Sequence, residues 1–368
     1  MKNKINIFFF ISKFTFGGAG NAIYTFLKNL NSKKYNINII FIGNSEYKNI
    51  LPRHVKYHQI NTGIKTFHTF FCFFKIQKLI LKETKKFKKN IFISNIHYSN
   101  VLTILFLRKI NHLKIILFER TSIKELDIFF NLASYIKNKT VKFLLKRVYK
   151  KADLILTNSK TTTSELKKFG LKSKVIYSGS IKNVNPVKTF KPKKFYNMIS
   201  VGRLSKQKDY FTLLKAIRLM KFNSFNLNIY GDGELKEDLK KFIFKHELEK
   251  IVFLKGHEKN KQKIYKNADL LIHTAVFEGL PNVIVEAMNY NIPIIASDSP
   301  GGTRQLLCSG KYGLLFRSRD HLDLLKKINF FIKNRKILYE KVSNSKKSLK
   351  KFTYTNTVKS LDKILKKI

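Results

Sequence analysis

Residues 276–302 read VFEGLPNVIVEAMNYNIPIIASDSPGG. The apolar run Leu270–His273 just before them predicts a strand, and Ile294–Ala296 within them predicts another. Gly279 and Pro281 block helix propagation, and Pro281 is well placed to open a new helix. Strand, loop, helix and strand in this order are one turn of a parallel sheet with helical crossovers. Glu278 falls in the loop and Glu286 in the early turns of the helix, so the two carboxylates are not stacked on one helix face. Carboxylates accept hydrogen bonds from sugar hydroxyls, and a helix N-terminus beside them favours a phosphate. Three of the chain's six prolines lie here, which holds this backbone firmly.

Outward from this segment the same rhythm continues in both directions. Strands are expected at Ile5–Ile11, Ile37–Ile42, Ile91–Ser94, Lys114–Phe118, Leu154–Thr157 and Lys174–Tyr177. Helical stretches such as Asn21–Leu30 and Phe74–Phe87 fall between them. After a break, further strands are expected at Asn197–Val201, Asn226–Tyr230 and Ile251–Phe253. The tail from Asp320 is helical and rich in lysine. The break at Val184–Phe195 carries two prolines and no acid, which suits a linker. The expected fold class is therefore α/β, with two doubly wound domains. Their bounds are 1–183, a linker at 184–196 and 197–350, followed by a C-terminal helix at 351–368 that can pack back on the first domain. Ligands of such sheets bind beyond the carboxyl ends of the strands.

The chain has 368 residues with 73 Lys and Arg against 23 Asp and Glu, a net charge of +50. Residues 1–185 hold only 7 acids against 35 Lys and Arg. A hydrophobic share of 44% excludes a disordered polycation. Such charge suits nucleic acid, an anionic membrane or an acidic substrate. Abundant Lys, Asn, Ile, Phe and Tyr with no Trp also fit an AT-rich coding sequence. No RNA- or DNA-binding motif accompanies the charge. Cys72 and Cys308 are too far apart in sequence for a Cys-x-x-Cys pair, and no Asp-x-Asp or His/Cys cluster suggests a metal. No apolar run reaches the ~20 residues of a spanning helix, so a cytoplasmic protein is expected.

Glycines mark the remaining loops. Gly17, Gly18 and Gly20 sit between the first strand and a helix, where backbone can approach an anion. Gly202, Arg203, Leu204 and Lys208 follow the strand ending at Val201. A guanidinium and an ammonium at a strand's carboxyl end suit a diphosphate. Gly231-Asp232-Gly233 is a tight turn after the next strand. His97, Glu119 and Arg120 follow strands of the first half.

Gly202-Arg203-Leu204 with Lys208, Gly231-Asp232-Gly233, Phe277 to Asn282, Glu286-Ala287-Met288, Pro293 and Pro300-Gly301-Gly302 together resemble the retaining glycosyltransferase family 4 of bacteria. The match is strong over residues 198–315 and weak over 1–185. The resemblance implies the GT-B fold, two Rossmann-like domains facing across a cleft. It implies a surface-polysaccharide or lipopolysaccharide enzyme that moves a hexosyl or N-acetylhexosaminyl group with retention. The donor would be a nucleotide-sugar, UDP- rather than GDP-linked, and the acceptor a glycan on polyprenyl diphosphate or lipid A. It implies Arg203, Lys208, Glu278 and His97 as catalytic residues, with Arg203 and Lys208 on the diphosphate and His97 on the donor sugar. Gly17, Gly18, Gly202, Asn282, Glu286, Pro300, Gly301 and Gly302 would bind the donor, Glu286 at the ribose. Glu119 and Arg120 are acceptor-side candidates. No metal or cofactor is implied, and no specific nucleic acid.

Two positions depart from the family pattern. Gly20 stands where the family has an acid, and Gln305 follows Arg304 where it often has one. A nucleic-acid-binding protein and a GT-B sugar-nucleotide epimerase are the alternatives. The basic first half and Phe67–Phe74 (FHTFFCFF), followed by lysines, suggest peripheral attachment to the inner face of the cytoplasmic membrane.

Overall fold

The computed structural model describes residues 4–61, 68–188, 190–221 and 224–368. Two compact units emerge. Unit 1 comprises residues 1–179 and 354–368, and unit 2 comprises residues 180–353.

Unit 1 begins with β1 (Ile5–Ile11), α1 (Gly18–Asn29), β2 (Tyr35–Ile42), β3 (Val55–Ile60), α2 (His68–Thr84), β4 (Asn90–Asn95) and α3 (His97–Leu107). It continues with β5 (Leu113–Glu119), α4 (Leu132–Val148), β6 (Leu154–Thr157), α5 (Lys160–Lys167) and β7 (Lys174–Val175). Unit 2 runs β8 (Tyr196–Val201), α6 (Tyr210–Arg218), β9 (Phe225–Tyr230), α7 (Lys236–Lys245), β10 (Val252–Gly256), α8 (Lys261–Tyr265) and β11 (Leu270–His273). Then come α9 (Asn282–Asn289), β12 (Ile294–Asp298), α10 (Thr303–Leu306), β13 (Leu314–Arg317), α11 (His321–Lys333) and α12 (Arg335–Ser343). The last helix, α13 (Tyr354–Leu365), belongs to unit 1.

Every strand pair is parallel. The strand orders are β3-β2-β1-β4-β5-β6-β7 and β10-β9-β8-β11-β12-β13, the doubly wound order repeated in each unit. Parallel strands covered on both faces read as near-continuous apolar runs, and β1 (INIFFFI) does. Its Phe8 and Phe10 pack with Phe73, Leu107 and Leu145 of α2, α3 and α4. Its Ile7 and Phe9 point the other way, to Phe26 of α1 and to Leu361 and Leu365 of α13. A buried amide ladder sets the register: Asn6 donates to Asn90 (3.0 Å) and accepts from Asn38 (2.9 Å).

Two strands escape the sequence pattern, β3 (VKYHQI) and β13 (LLFR). Both are edge strands of their sheets, where one-sided burial removes the continuous apolar run. The expected linker at 184–196 is corrected: the division falls at Gly179/Ser180, and this segment is bonded into unit 2. The Asn185 amide donates to Asn289 (2.9 Å), Lys346 donates to the Asn185 carbonyl (3.1 Å), and Lys193 pairs with Asp269 at 2.6 Å. The chain returns to unit 1 after Thr353. Of the aromatic stretch 67–74, Phe67 lies outside the described residues. Cys72 and Phe73 are core, and Phe71 and Phe74 are exposed. Among the described residues no helix is long and apolar enough to cross a membrane.

Candidate functional site

In unit 2 the strand order reverses direction between β8 and β11, which is where doubly wound sheets open a crevice. The loops leaving these two strands carry Lys208 and Glu278. After β8 the chain makes Gly202-Arg203-Leu204 and a short 3₁₀ turn, Lys206–Lys208. Three bonds fix this turn. The Thr274 hydroxyl donates to the Lys208 carbonyl (2.7 Å), the Val276 amide to the Gln207 carbonyl (2.9 Å), and the buried Tyr210 hydroxyl to the Gly202 carbonyl (3.0 Å). The Gly231–Gly233 turn braces the loop from beneath. The Leu204 amide donates to the Asp232 carbonyl (2.9 Å), and a Cβ on Gly231 would stand 1.9 Å from the Gly202 carbonyl oxygen. Only glycine allows that approach. Arg203 is exposed at the rim.

Glu278 is held by backbone on one side and by charge on the other. Its amide donates to the Pro300 carbonyl (3.0 Å), and it forms a parallel bridge with Gly301. Its carboxylate pairs with the Lys208 ammonium and lies 3.5 Å from His273 Nε2. Burial alone would raise the carboxyl's pKa, but the Lys208 charge, with His273, pulls it down to about 2. Burial pushes His273 below the ordinary histidine value.

Pro281 immediately precedes α9 and Glu286 lies in its second turn. Glu286 does not meet Glu278. One oxygen accepts from the Tyr265 hydroxyl (2.7 Å) and the other pairs with Lys261 (2.6 Å), both from α8. Asn282 Oδ1 accepts from the Ser180 hydroxyl (2.9 Å). Arg304 pairs with Asp298, its Nε 2.9 Å from Oδ1, so the arginine ahead of Gln305 has its own acid at the end of β12. A Cβ on Gly302 would stand 2.4 Å from the Gly279 carbonyl oxygen. The Pro300–Gly302 turn is thus a floor under the Glu278 loop.

Unit 1 builds a second cluster at the carboxyl ends of β4 and β5. Ile96, between β4 and α3, has φ 74°, a strained conformation for a β-branched residue, and it aims His97. His97 Nδ1 lies 2.6 Å from Glu119 Oε2. Its Nε2 lies 2.9 Å from the Thr121 hydroxyl and 3.4 Å from Glu125. Asn100 (2.6 Å) and Tyr149 donate to the other Glu119 oxygen. Burial alone would lower the His97 pKa. The Glu119 carboxylate, helped by Glu125, outweighs it and lifts the imidazole to about 10. Glu119 itself sits below the ordinary carboxylate range: burial opposes this, and His97 prevails.

Glu119, expected at the cleft edge, is wholly buried behind His97 and fully bonded, so it positions the imidazole. Arg120 points away from Glu119. Its guanidinium stacks 3.9 Å from the Phe118 ring, and Nε donates to Asn95 Oδ1 (2.6 Å). Both terminal nitrogens are buried with no protein partner, and burial lowers the group to about 9. Gly17 caps α1 and Gly18 opens it. Gly20 has a steric cause: a Cβ there would stand 2.2 Å from the Thr15 carbonyl oxygen. No acid fits on this backbone.

His273, Tyr265, Lys261, Asn100, Thr121, Glu125 and Tyr149 were not singled out from sequence. His273 ends a strand, the signal that drew attention to His97. The others reach their partners from separate elements, and no spacing announces them. Among the described residues no group of three His, Cys, Asp or Glu could hold a metal ion.

Comparison with known proteins defines the family. Residues 16–179 match the model of Glycosyltransferase Family 4, and residues 181–349 that of Glycosyl transferases group 1. The chain belongs to the GT-B glycosyltransferases of the family 4 type. Among individual relatives, an uncharacterized glycosyltransferase of Methanocaldococcus jannaschii is 30% identical over 279 residues, 66% of this chain and 68% of that protein. A Campylobacter jejuni enzyme is 27% identical over 379 residues, 95% of this chain and 94% of its own. It is described as an α-1,4-N-acetyl-D-galactosaminyltransferase acting on GalNAc-α-(1→4)-GalNAc-α-(1→3)-diNAcBac-PP-undecaprenol. Among solved structures, Anabaena HepE in complex with UDP-glucose superposes with a TM-score of 0.79 at 19% identity, covering 99% of this chain and 100% of that one. That likeness shows the fold.

Proposed function

We propose that this glycosyltransferase moves a hexosyl or N-acetylhexosaminyl group, with retention, from a nucleotide-sugar to a lipid-linked or glycan acceptor in surface-polysaccharide assembly. A UDP-sugar is favoured, since the Anabaena neighbour was solved with UDP-glucose. A lipid-linked glycan is favoured because the Campylobacter relative is described with an undecaprenyl-diphosphate acceptor. The observation that carries the reading is the Lys208–Glu278 pair at the reversal point of the second sheet.

In this mechanism the anomeric C–O bond to the β-phosphate breaks and its electron pair stays on the phosphate oxygen. Lys208 and Arg203 stabilise that developing charge. The acceptor hydroxyl attacks on the same face and gives its proton to the departing oxygen. Glu278 and His97 hold the donor sugar, and Glu119 positions His97. Glu286 accepts from the ribose hydroxyls. The Gly17-Gly18 and Gly202 backbone, Asn282 and the amides of Gly301 and Gly302 complete the donor contacts, and Pro300 stiffens the turn. Arg120, with both terminal nitrogens unpaired, serves the acceptor side. The reading needs no metal or cofactor, and it places the chain on the cytoplasmic face of the membrane that carries the acceptor.

A panel of nucleotide-sugars, read by thermal stabilisation and by donor hydrolysis, tests it. One UDP- or GDP-sugar should stabilise the protein. Lys208→Ala should cut turnover by roughly 10²- to 10³-fold, and Glu286→Ala should abolish it, each in a folded protein. Full activity in both variants would remove these residues from the site.

A further inference from the structure

Helix α4 has two apolar faces. Val141, Leu145 and Val148 pack into unit 1. From Asn131 to Thr140, however, the helix buries no residue. This free half nonetheless displays Leu132, Tyr135 and Ile136, continued by Phe143, all exposed, with Leu132 at 73%. At 100° per residue these four share one stripe, roughly 180° from the buried face. Phe129 (52% exposed) lies just ahead of the helix and stacks edge-on against Tyr135 at 5.0 Å.

The stripe is held ready rather than frayed. Asn131 and Ser134 form a reciprocal capping box that fixes the first turn. Lys139 stands 5.6 Å over the Tyr135 ring and the Arg147 guanidinium 3.7 Å over the Phe143 ring. Residues 128–148 contain five Lys and Arg and no acid. A globular helix gains nothing in water by exposing such a row. At an interface between water and hydrocarbon, the rings and aliphatic tips enter the acyl boundary while the cationic heads reach the phosphates. A base-stacking surface would make no use of Leu132 and Ile136, the two aliphatic members of the row.

We propose that the outward stripe of α4 is an insertion surface for an anionic lipid bilayer. It deepens, and rests on, the lipid-side part of the functional reading. Binding at this surface has an apolar component that salt does not screen, so it persists where purely electrostatic adsorption is lost.

Flotation of the full chain with vesicles of phosphatidylglycerol and phosphatidylethanolamine, at low and high salt, tests this against vesicles of phosphatidylcholine. The protein should float with the anionic vesicles and be partly retained at high salt. The triple variant Leu132→Ser, Ile136→Ser, Phe143→Ser should lose binding by roughly tenfold per side chain removed, with an unchanged Tm. Equal flotation of variant and parent overturns the assignment of the surface while leaving membrane binding in place. Absence of flotation by the parent overturns both the membrane reading and the proposal. Tighter binding to RNA than to vesicles, lost in the same variant, also overturns it by giving the surface to nucleic acid. Should the triple variant unfold, Phe129→Ser, outside the helix, gives the same readout. Failure of the enzymatic reading would show separately, in the absence of any response to nucleotide-sugars.

Discussion

Gly301 packs so closely under Glu278 that a Cβ placed on it would stand 1.5 Å from the Glu278 carbonyl oxygen. Its φ of 114° is also one that side chains rarely adopt. Gly301→Ala must therefore push the Glu278 loop away from the floor that holds it. A displacement of an ångström at such a point costs on the order of 10²-fold in rate. Transfer should fall by that amount, measured as kcat with saturating donor. An alanine variant with the parent's kcat would mean that the placement of Glu278 is not critical.

Lys208→Ala leaves the buried Glu278 carboxylate without its partner and, on the proposed reading, removes the leaving-group cation. The expected loss in kcat is roughly 10²- to 10³-fold, together with a lower Tm. Combining Lys208→Met with Glu278→Gln should restore the Tm but not the activity, because a neutral pair has no orphaned charge. A depressed carboxyl pKa contributes stability that is fully present above the ordinary value of about 4.3 and is lost as pH falls toward about 2. Acid unfolding of Glu278→Gln should accordingly lack part of the parent's steepness in that window. Identical acid profiles would count against the ion pair.

The His97–Glu119 pair acts at the opposite end of the scale. A raised histidine pKa contributes stability that is fully present below the unfolded value of about 6.5 and is lost as pH rises through about 10. Urea unfolding between these limits should show the parent weakening with pH and His97→Phe nearly flat. Catalysis should show no titration near the usual histidine value, because His97 stays charged there. A kcat limb near that value, abolished in the variant, would contradict the pairing.

Arg120→Met should separate stability from function. The guanidinium is buried with both terminal nitrogens unpaired, a desolvation cost that methionine does not carry and that offsets the loss of the Nε bond to Asn95. The Tm should hold or rise, donor hydrolysis should persist, and transfer to the acceptor should fail. Unchanged transfer would show that Arg120 does not serve the acceptor.

Chelation bears on the leaving group. If Lys208 and Arg203 neutralise the diphosphate as proposed, EDTA should leave turnover unchanged. Loss of activity restored by a divalent ion would assign part of that task to a metal.

The central strands were legible because burial on both faces forces continuous apolar runs such as INIFFFI, and the edge strands β3 and β13 were not, for want of that burial. The loop residues Arg203, Lys208 and Glu278 could be singled out because glycine and proline punctuate them. What sequence could not tell was pairing. It separated Glu278, in the loop, from Glu286, in the helix, but could not show that each has its own lysine. It set Glu119 and Arg120 side by side, yet strand alternation sends them to opposite faces. It also drew attention to the aromatics at 67–74, part of which is core, rather than to α4. A helix with two apolar stripes does not declare which one meets the interior.

The return of the chain to unit 1 through α13 has a consequence for synthesis. Leu361 and Leu365 belong to the same core as Ile7 and Phe9, but they leave the ribosome more than 350 residues later. Unit 2 can close as soon as Thr353 has emerged, whereas unit 1, although made first, has α1 on that face of its sheet but keeps the part under α13 uncovered until the last helix arrives. During that interval the exposed apolar face is open to chaperones, and a ribosome stalled before residue 354 would release a chain whose first half cannot complete its core.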